Sequence, residues 1–434
     1  MENDSVIAFA CPDQIDDPLT DVLRRGARRL LAQAIEAEVE AFIDEHAEFR
    51  TDDGRRRIVR HGHGPERVIQ TGIGPVGVRR AKARDRGAGE GKERIRFTSA
   101  ILPRWARRSP RLDALLPTLY LRGISTGDFQ ECLAALLGPD AANLSPAALR
   151  RLKASWKEEL DKWQKRTLEA RRYVYVWADG IYLQARMEQE KQCILVIIGA
   201  TPEGRSKRRR RSEATTGTGN ELVGFQIGYR ESAQSWRELL LDLKKRGLCI
   251  PPELAVGDGA LGFWKAIEEA FPTTRHQRCW VHKTANVLNK LPKSVQKNAK
   301  ADLAEVWAAE CRADAEAAME HFAEKYSPKY DRAVTCLVKD REALLTFFDF
   351  PAEHWQHLRT TNPIESVFAT VRHRTVRSKG CLSFKTALVM VFKLVMAASK
   401  TWRRLKGRNQ LPKVIEGVTF KDGLEAKRET EVAA

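Results

Sequence analysis

Tyr173-Val174-Tyr175-Val176-Trp177-Ala178-Asp179-Gly180 is a β-branched and aromatic run that closes on a carboxylate and a glycine. The arrangement recurs at Leu254-Ala255-Val256-Gly257-Asp258-Gly259. Between them, strands are expected from Tyr173 through Trp177 and on to Arg186, at Cys193 to Ala200 and at Leu222 to Tyr229. A helix with Trp236, Leu239, Leu240 and Leu243 on one face follows, then the short strand at Leu254 to Val256 and a helix from Leu261 to Phe271. Three strands followed by alternating helix and strand predict a mixed α/β layer with carboxylates at strand ends, the end where ligands bind in such sheets.

The flanks of this layer are mostly helical. From Pro18 to about His46, apolar residues recur at Leu19, Val22, Leu23, Leu30, Leu31, Ile35, Val39, Phe42 and Ile43, the spacing of one long amphipathic helix. Residues 51–111 turn rich in Gly and Arg, with strand-like pieces at Val68 to Thr71 and Val76 to Val78, and form a small basic strand-containing module. Within 112–170 a helix-turn-helix is expected: Ser125-Thr126-Gly127-Asp128 caps a helix to Leu137, Gly138-Pro139-Asp140 breaks it, and Ser145-Pro146 starts a second helix through Trp163. That second helix carries Arg150, Arg151 and Lys153 and suits either a DNA groove or ordinary helix packing. The organisation read along the chain is therefore 1–50 helix, 51–111 basic module, 112–170 helix-turn-helix-like region, 171–290 first part of the α/β core, 291–357 helical insertion, 358–410 last core helices, and 411–434 a charged tail expected to fray.

Composition bounds the partner. The 434 residues carry a formal charge of +18, and 43% hydrophobic content suffices for real cores, so the chain is globular and its partner anionic. Nucleic acid is the commonest such partner, although net charge alone does not separate DNA from RNA or an acidic membrane surface. Eight cysteines (11, 132, 193, 249, 279, 311, 336 and 381) show no repeated pair spacing, which argues against a disulfide framework and fits reduced thiols in a cytoplasmic setting. An acidic Met1-Glu2-Asn3-Asp4 start is unlike an export signal, and the most apolar run, Ala387 to Ala398, is interrupted by Lys393, so no membrane association is expected.

A third carboxylate, Glu365, lies in Thr361-Asn362-Pro363-Ile364-Glu365-Ser366 in the first turn of a helix. Asp179, Asp258 and Glu365 delivered to one place can hold two divalent ions, which suits in-line displacement at a phosphodiester. Each has a plainer reading: Asp-Gly is a common turn pair, and Asn362 as N-cap with Pro363 at the first helical position makes Glu365 a capping-box residue. Arg372, seven residues on and so on the same helix face, followed by Arg374, Arg377 and Lys379, tips the balance towards phosphates approaching a metal. Gly72-Ile73-Gly74-Pro75-Val76-Gly77 matches a dinucleotide-binding pattern, but Pro75 and the strand-like residues after it argue for a hairpin turn. Cys279 and His282 form half of a zinc site with no second pair at suitable spacing, which argues against zinc. The run Arg205 to Arg211, continuing to Gly219, is expected to be a solvated surface loop, with an added phosphate-contacting arm as the functional alternative.

Together with Leu119-Tyr120-Leu121-Arg122-Gly123-Ile124-Ser125-Thr126, Glu231-Ser232-Ala233-Gln234-Ser235-Trp236 and Gln277-Arg278-Cys279-Trp280-Val281-His282, the three carboxylates make residues 18–420 resemble the Mutator-type transposases of bacterial insertion sequences. The resemblance implies a ribonuclease H-like mixed sheet interrupted by a helical insertion and preceded by a mostly helical DNA-binding region. It implies that Asp179, Asp258 and Glu365 are catalytic metal ligands, with Arg372 a basic residue beside them and Cys279 and His282 structural residues near the site. Two Mg²⁺ ions, for which Mn²⁺ can substitute, are the expected cofactors, and the terminal inverted repeats and target DNA are the expected partners, bound by a homodimer or larger assembly on the nucleoid. Two other readings stay open: a DNA-binding protein of this descent that has lost catalysis, and a metal-dependent DNA nuclease without strand transfer.

Overall fold

The computed structural model describes residues 18–87, 94–104, 106–109, 146–183, 192–202, 219–228, 230–377, 384–402 and 404–426, with isolated positions between 112 and 133. The chain forms two compact units, Met1–Leu152 and Lys153–Ala434. Most of the expected first helix of the helix-turn-helix, the basic run up to residue 218, and Lys379 lie outside the described residues.

In the first unit, helix α1 (Pro18–Glu45) buries Ile35 and Val39 against a long hairpin, while Leu19, Val22, Leu23 and Leu30 stay exposed along its first half. Strands β1 (Ile58–Thr71) and β2 (Gly74–Asp85) pair antiparallel from Ile58↔Asp85 to Thr71↔Gly74, and Ile69, Val76, Val78 and Ala81 form the face that receives α1. Thr71 pairs with Gly74, so the glycine-rich pattern is a hairpin turn over Gly72 and Ile73, and the chain re-enters the ladder through Gly74 at φ 95°. The strands run well beyond the short pieces expected. Irregularities between Arg60 and Glu66 let a charged stretch without clean alternation stay in the ladder.

The second unit is built on a five-stranded sheet of order β5-β4-β3-β6-β7. Its strands are β3 (Tyr175–Leu183), β4 (Gln192–Ala200), β5 (Asn220–Gly228), β6 (Leu254–Gly257) and β7 (Arg275–Arg278). Pairings β3–β4 and β4–β5 are antiparallel, whereas β3–β6 and β6–β7 are parallel. Strand β7 goes beyond what sequence patterning predicts, because Arg275-His276-Gln277-Arg278 is polar, and tertiary pairing rather than propensity holds it. Helix α2 (Pro146–Gln164) precedes the sheet, and in this unit it buries Trp156 and Leu160 and pairs Glu159 with Lys393 at 2.6 Å.

Strand periodicity sorts the core. Val176, Ala178, Leu195, Ile197 and Val223 face α3 (Ala233–Lys245) and α4 (Leu261–Ala270), which contribute Trp236, Leu239, Leu240, Leu243, Phe263 and Ile267. Tyr175 and Trp177 point the other way: the Tyr175 hydroxyl meets His354 Nδ1 at 2.8 Å and Trp177 Nε1 donates to the His357 carbonyl at 2.9 Å. Both histidines belong to the helical segment between β7 and the last core helices. This segment contains α5 (Trp280–Leu288), α6 (Lys293–Ala308), α7 (Arg312–Val338), α8 (Arg341–Leu345) and α9 (Trp355–Leu358). Helices α10 (Asn362–Arg377) and α11 (Phe384–Ala398) follow. The tail differs from expectation: α12 (Leu411–Ile415) and a hairpin of β8 (Phe420–Lys421) with β9 (Leu424–Glu425) are ordered, because Phe420 is buried and Gly423 N donates to the Phe348 carbonyl at 3.1 Å. Residues 427–434 lie outside the described part.

Gln277 ties the insertion to the sheet. Fully buried on β7, it donates to the Leu344 carbonyl at 3.0 Å and accepts from Phe347 N at 2.8 Å. Leu344 keeps a second donor in Trp280 Nε1, so Gln277→Ala leaves one buried N–H, that of Phe347, without its partner. Such an orphan costs about 1–3 kcal/mol. Urea unfolding of the variant is expected to show a decrease of that size, and unchanged stability would mean that the insertion is held elsewhere.

Candidate active site

Strand β6 stops at Gly257, opposite Ala178, while β3 continues to Leu183. Past Ala178 the β3 edge therefore has no parallel neighbour, and the next residue on it is Asp179. The sequence pattern places Asp179 at a strand end with an Asp-Gly turn. The structure corrects this: Asp179 and Gly180 lie inside the ladder, paired with Val196 and Leu195. Asp258 does sit in a turn, directly after β6. There Gly259 adopts φ 96° and Ala260 N donates to Asp258 Oδ1 at 2.8 Å, an Asx-type turn that holds the carboxylate.

A third carboxylate joins them, and it is not Glu365. Asp179, Asp258 and Glu231 place carboxylate oxygens within 4.8 Å of one another, and Glu365 lies outside this set. Glu231 follows β5 and precedes Ser232, whose side chain caps α3 by accepting from Ser235 N at 3.2 Å. In the sequence it stands within the Glu231 to Trp236 motif without being singled out as a ligand. Unlike Asp258 it does not directly close an apolar run, so its local sequence carries little signal. Two glycines make room for it. A Cβ at Gly180 would collide with the Glu231 carboxylate, and one at Gly262 would strike the Glu231 carbonyl and come 2.8 Å from Ala233 N.

Glu365 forms the core of a second group. Its carboxylate accepts from the Thr361 hydroxyl at 2.7 Å and lies 3.7 Å from His282 Nδ1, and with Cys279 Sγ these ligand atoms all fall within 4.8 Å. The expected cap moves by one residue: the Thr361 carbonyl accepts from Ile364 N at 2.9 Å and Glu365 N at 3.0 Å, and Asn362 is already helical. Thr361 N also donates to Cys279 Sγ at 3.3 Å, and Cys279 N donates to the Gly257 carbonyl at 2.8 Å. A chain of bonds thus links the end of β6, the start of α5 and the start of α10. Cys279 and His282 thus lie beside Glu365.

The electrostatics follow from crowding. Burial, then the charge of Asp258, pushes Asp179 up to about 7, with Glu365 adding to the rise. Burial, then Asp258 and Asp179, likewise takes Glu231 to about 7. His282 is raised to about 9, first by its hydrogen bond to Cys279 and then by the charges of Cys279, Glu365 and Asp179. It is therefore an imidazolium at neutral pH, placed between the two groups. Oxygen-only donors with this much like charge suit a hard divalent cation such as Mg²⁺ or Mn²⁺.

Of the expected DNA contacts, Arg372 is exposed on α10 with its guanidinium 6.0 Å from the Phe368 ring centre. Arg374 and Arg377 belong to the same helix, but their side chains are outside the described ones. Arg150 and Arg151 are exposed on α2 and Lys153 is half-buried.

The shift at Asp179 sets a sign for stability. Unfolded, the carboxyl ionises near 3.8, whereas folded it keeps its proton to about 7, so its contribution to folding falls as pH rises between these values and does not return above them. In metal-free protein at pH 8, Asp179→Asn is expected to raise stability by on the order of 1–3 kcal/mol and to flatten the pH dependence across that window. Thermal melts in chelator check this, and a less stable variant at pH 8 would contradict the crowding of these carboxylates.

Comparison with known proteins identifies relatives over most of the chain. Residues 8–404 match the family described as "Transposase, Mutator family". The chain is 48% identical over 304 residues to the transposase for insertion sequence element IST2 of Acidithiobacillus ferrooxidans, covering 68% of this chain and 96% of the relative. It is 45% identical over 321 residues to the transposase for insertion sequence element IS6120 of Mycolicibacterium smegmatis, covering 74% and 94%. The transposase for insertion sequence element IS256 in transposon Tn4001 of Staphylococcus aureus shares 25% identity over 378 residues, covering 86% and 87%. With two aspartates converging from neighbouring parallel strands and a family match over most of its length, the chain belongs to the Mutator family of transposases.

Proposed function

We propose that this transposase binds the terminal inverted repeats of its own mobile element, cuts one strand at each end, and joins the freed end to target DNA, using a ribonuclease H-like catalytic core. The observation that carries the reading is the convergence of Asp179 and Asp258 from adjacent parallel strands at an open sheet edge, with Glu365 close enough to act on Asp179.

Asp179, Asp258 and Glu365 would hold two Mg²⁺ ions, for which Mn²⁺ would substitute. Such ions supply charge neutralisation at the attacked phosphate and a template for the attacking and leaving oxygens. In the first step an O–P bond forms to water as the P–O3′ bond breaks, leaving a 3′-hydroxyl. In the second, that hydroxyl forms the new bond to a target phosphate while a second P–O3′ bond breaks.

The residues of the chain have separate tasks. Thr361 and His282 orient the Glu365 carboxylate, and burial of Asp179 excludes water from one side of the site. Arg372, with Arg374, Arg377 and Lys379 beyond it, supplies cations for phosphates approaching along α10. Arg150, Arg151 and Lys153 at the start of α2 serve end binding. Joining two ends calls for at least a dimer in the DNA complex, and the enzyme would work on DNA of the nucleoid. No helix among the described residues is long and apolar enough to cross a membrane.

Two measurements test this reading. Replacing Asp179, Asp258 or Glu365 by Ala should reduce cleavage and strand transfer to background on a DNA carrying the element's ends, while DNA affinity stays near wild type, because Lys and Arg pairing with phosphate dominates binding. A Glu365→Ala protein that is less stable yet still cleaves would leave Glu365 with only its helix-end role. Replacing Arg150, Arg151 and Lys153 together by Ala should weaken end binding and make log affinity fall less steeply with log salt, the slope shrinking by about 0.9 for each phosphate that these cations neutralise. An unchanged slope would assign these residues to the packing of α2 alone.

A further inference from the structure

We infer that Glu231 is a fourth metal-binding carboxylate of the active site, and that in the DNA-free enzyme it, rather than Glu365, completes the first ion site with Asp179 and Asp258. The inference rests on the proposed metal-dependent reading and adds a residue to it.

The geometry comes first. The Glu231, Asp179 and Asp258 oxygens lie within 4.8 Å of one another, a separation that one divalent ion spans when carboxylates bind it at roughly 2.0–2.6 Å. Glu365 does not share that set and is engaged by Thr361 and His282.

A second observation concerns what the three carboxylates lack. Asp179 is only 9% exposed; one of its oxygens accepts from Gly180 N at 2.7 Å, and its other oxygen has no hydrogen-bond donor among the described residues. Nor does Asp179, Asp258 or Glu231 form an ion pair with a Lys or Arg among the described residues, in a chain with 75 Lys and Arg against 57 Asp and Glu. Other buried or half-buried acids in this unit do find such partners: Asp340 takes both Arg278 and Lys283, and Glu221 takes Arg166 and Arg171. The charge of His282 reaches Asp179 and Glu231, and Glu231 is also bonded to Tyr182, but one imidazolium offsets only part of the crowding of three converging carboxylates, and a cation from solution would complete them.

The surroundings are shaped to allow that convergence. Gly180 and Gly262 each leave space that a Cβ would take from Glu231, and Arg230, immediately before it, adopts φ 55°, a left-handed backbone that non-glycine residues seldom hold. Trp236 and Phe263, with ring centres 5.0 Å apart, lock α3 to α4 and so fix the loop bearing Glu231 beside the turn bearing Asp258.

The test uses the full chain without DNA. Mn²⁺ binding is titrated by the electron paramagnetic resonance of the free ion, and the thermal midpoint is followed with and without Mg²⁺, for wild type, E231Q, E365Q, D179N and D258N. E231Q, D179N and D258N are each expected to weaken the tightest Mn²⁺ site by roughly tenfold or more, and E365Q by much less. The metal-free midpoint of E231Q should equal or exceed that of wild type, because one of three repelling charges is gone, and its rise with Mg²⁺ should shrink.

Wild-type Mn²⁺ affinity in E231Q, with the site weakened in D179N and D258N, overturns the inference and leaves the metal-dependent reading intact. Affinity unchanged in D179N and D258N as well removes that reading itself. If E231Q lowers the metal-free midpoint, E231A is measured in its place, and wild-type affinity there overturns the inference.

Discussion

Mutual repulsion of carboxylates is the constraint around which the second unit is arranged. Three acids from three different connections, β3, the turn after β6 and the loop after β5, converge without a Lys or Arg partner among the described residues. Nothing in their own chemistry brings them together. Apolar packing beneath them does so: Val176 and Ala178 of β3 press on α3 and α4, whose Trp236, Leu239, Phe263 and Ile267 hold the two acid-bearing loops in place. Burying such side chains contributes about 1.5–3 kcal/mol each, enough for a handful of them to outweigh the crowding above.

The early end of β6 converts this packing into a site. In a strand, successive side chains leave on opposite faces, so Asp179 and the Gly180 position point apart. With a full-length neighbour on that edge, an acid from the α3 face could not approach one from the α10 face. Because β6 ends opposite Ala178, side chains from both faces meet around the open edge of β3. The short strand opens this edge, and it stops at Asp258-Gly259, where the positive φ of Gly259 turns the chain out of the sheet.

How much of this is legible in the sequence follows from which signals are local. Period-two runs of Val, Ile, Trp and Tyr make β3, β4, β5 and β6 readable, and the glycine-proline turn chemistry at Gly72 to Gly77 separates a hairpin from a nucleotide loop. Asp179 and Asp258 stand out because each closes such a run. Glu231 does not, since after Gly228 comes a helix cap at Ser232, and a glutamate before a cap looks like any exposed acid. Only the packing of α4 on α3 through Gly262, a contact between distant stretches of sequence, places it beside Asp258. The polar β7 and the charged but ordered tail are unreadable for the same reason: each is held by partners far along the chain, Gly257 and Leu254 of β6 for the first and Phe348 for the second.

The second group explains why a long helical insertion is compatible with a compact site. Residues 280–358 leave the sheet after β7 and return at Thr361, and the two ends of this excursion are bonded to each other by Trp280 N to the Arg359 carbonyl at 2.9 Å and Thr361 N to Cys279 Sγ at 3.3 Å. The insertion therefore enters and leaves through one clasp, and Glu365 stands one helical turn beyond it. Burial would raise the Cys279 thiol, yet bonds from His282 and Thr361 together draw it below an ordinary thiol, so polar bonding as well as packing holds the clasp. His282 in turn carries its positive charge towards both Glu365 and Asp179. The residue that fastens the insertion thus also lends its charge to the carboxylates, which gives the Cys-x-x-His pair two roles beside the site: one in the clasp, one in the electrostatics.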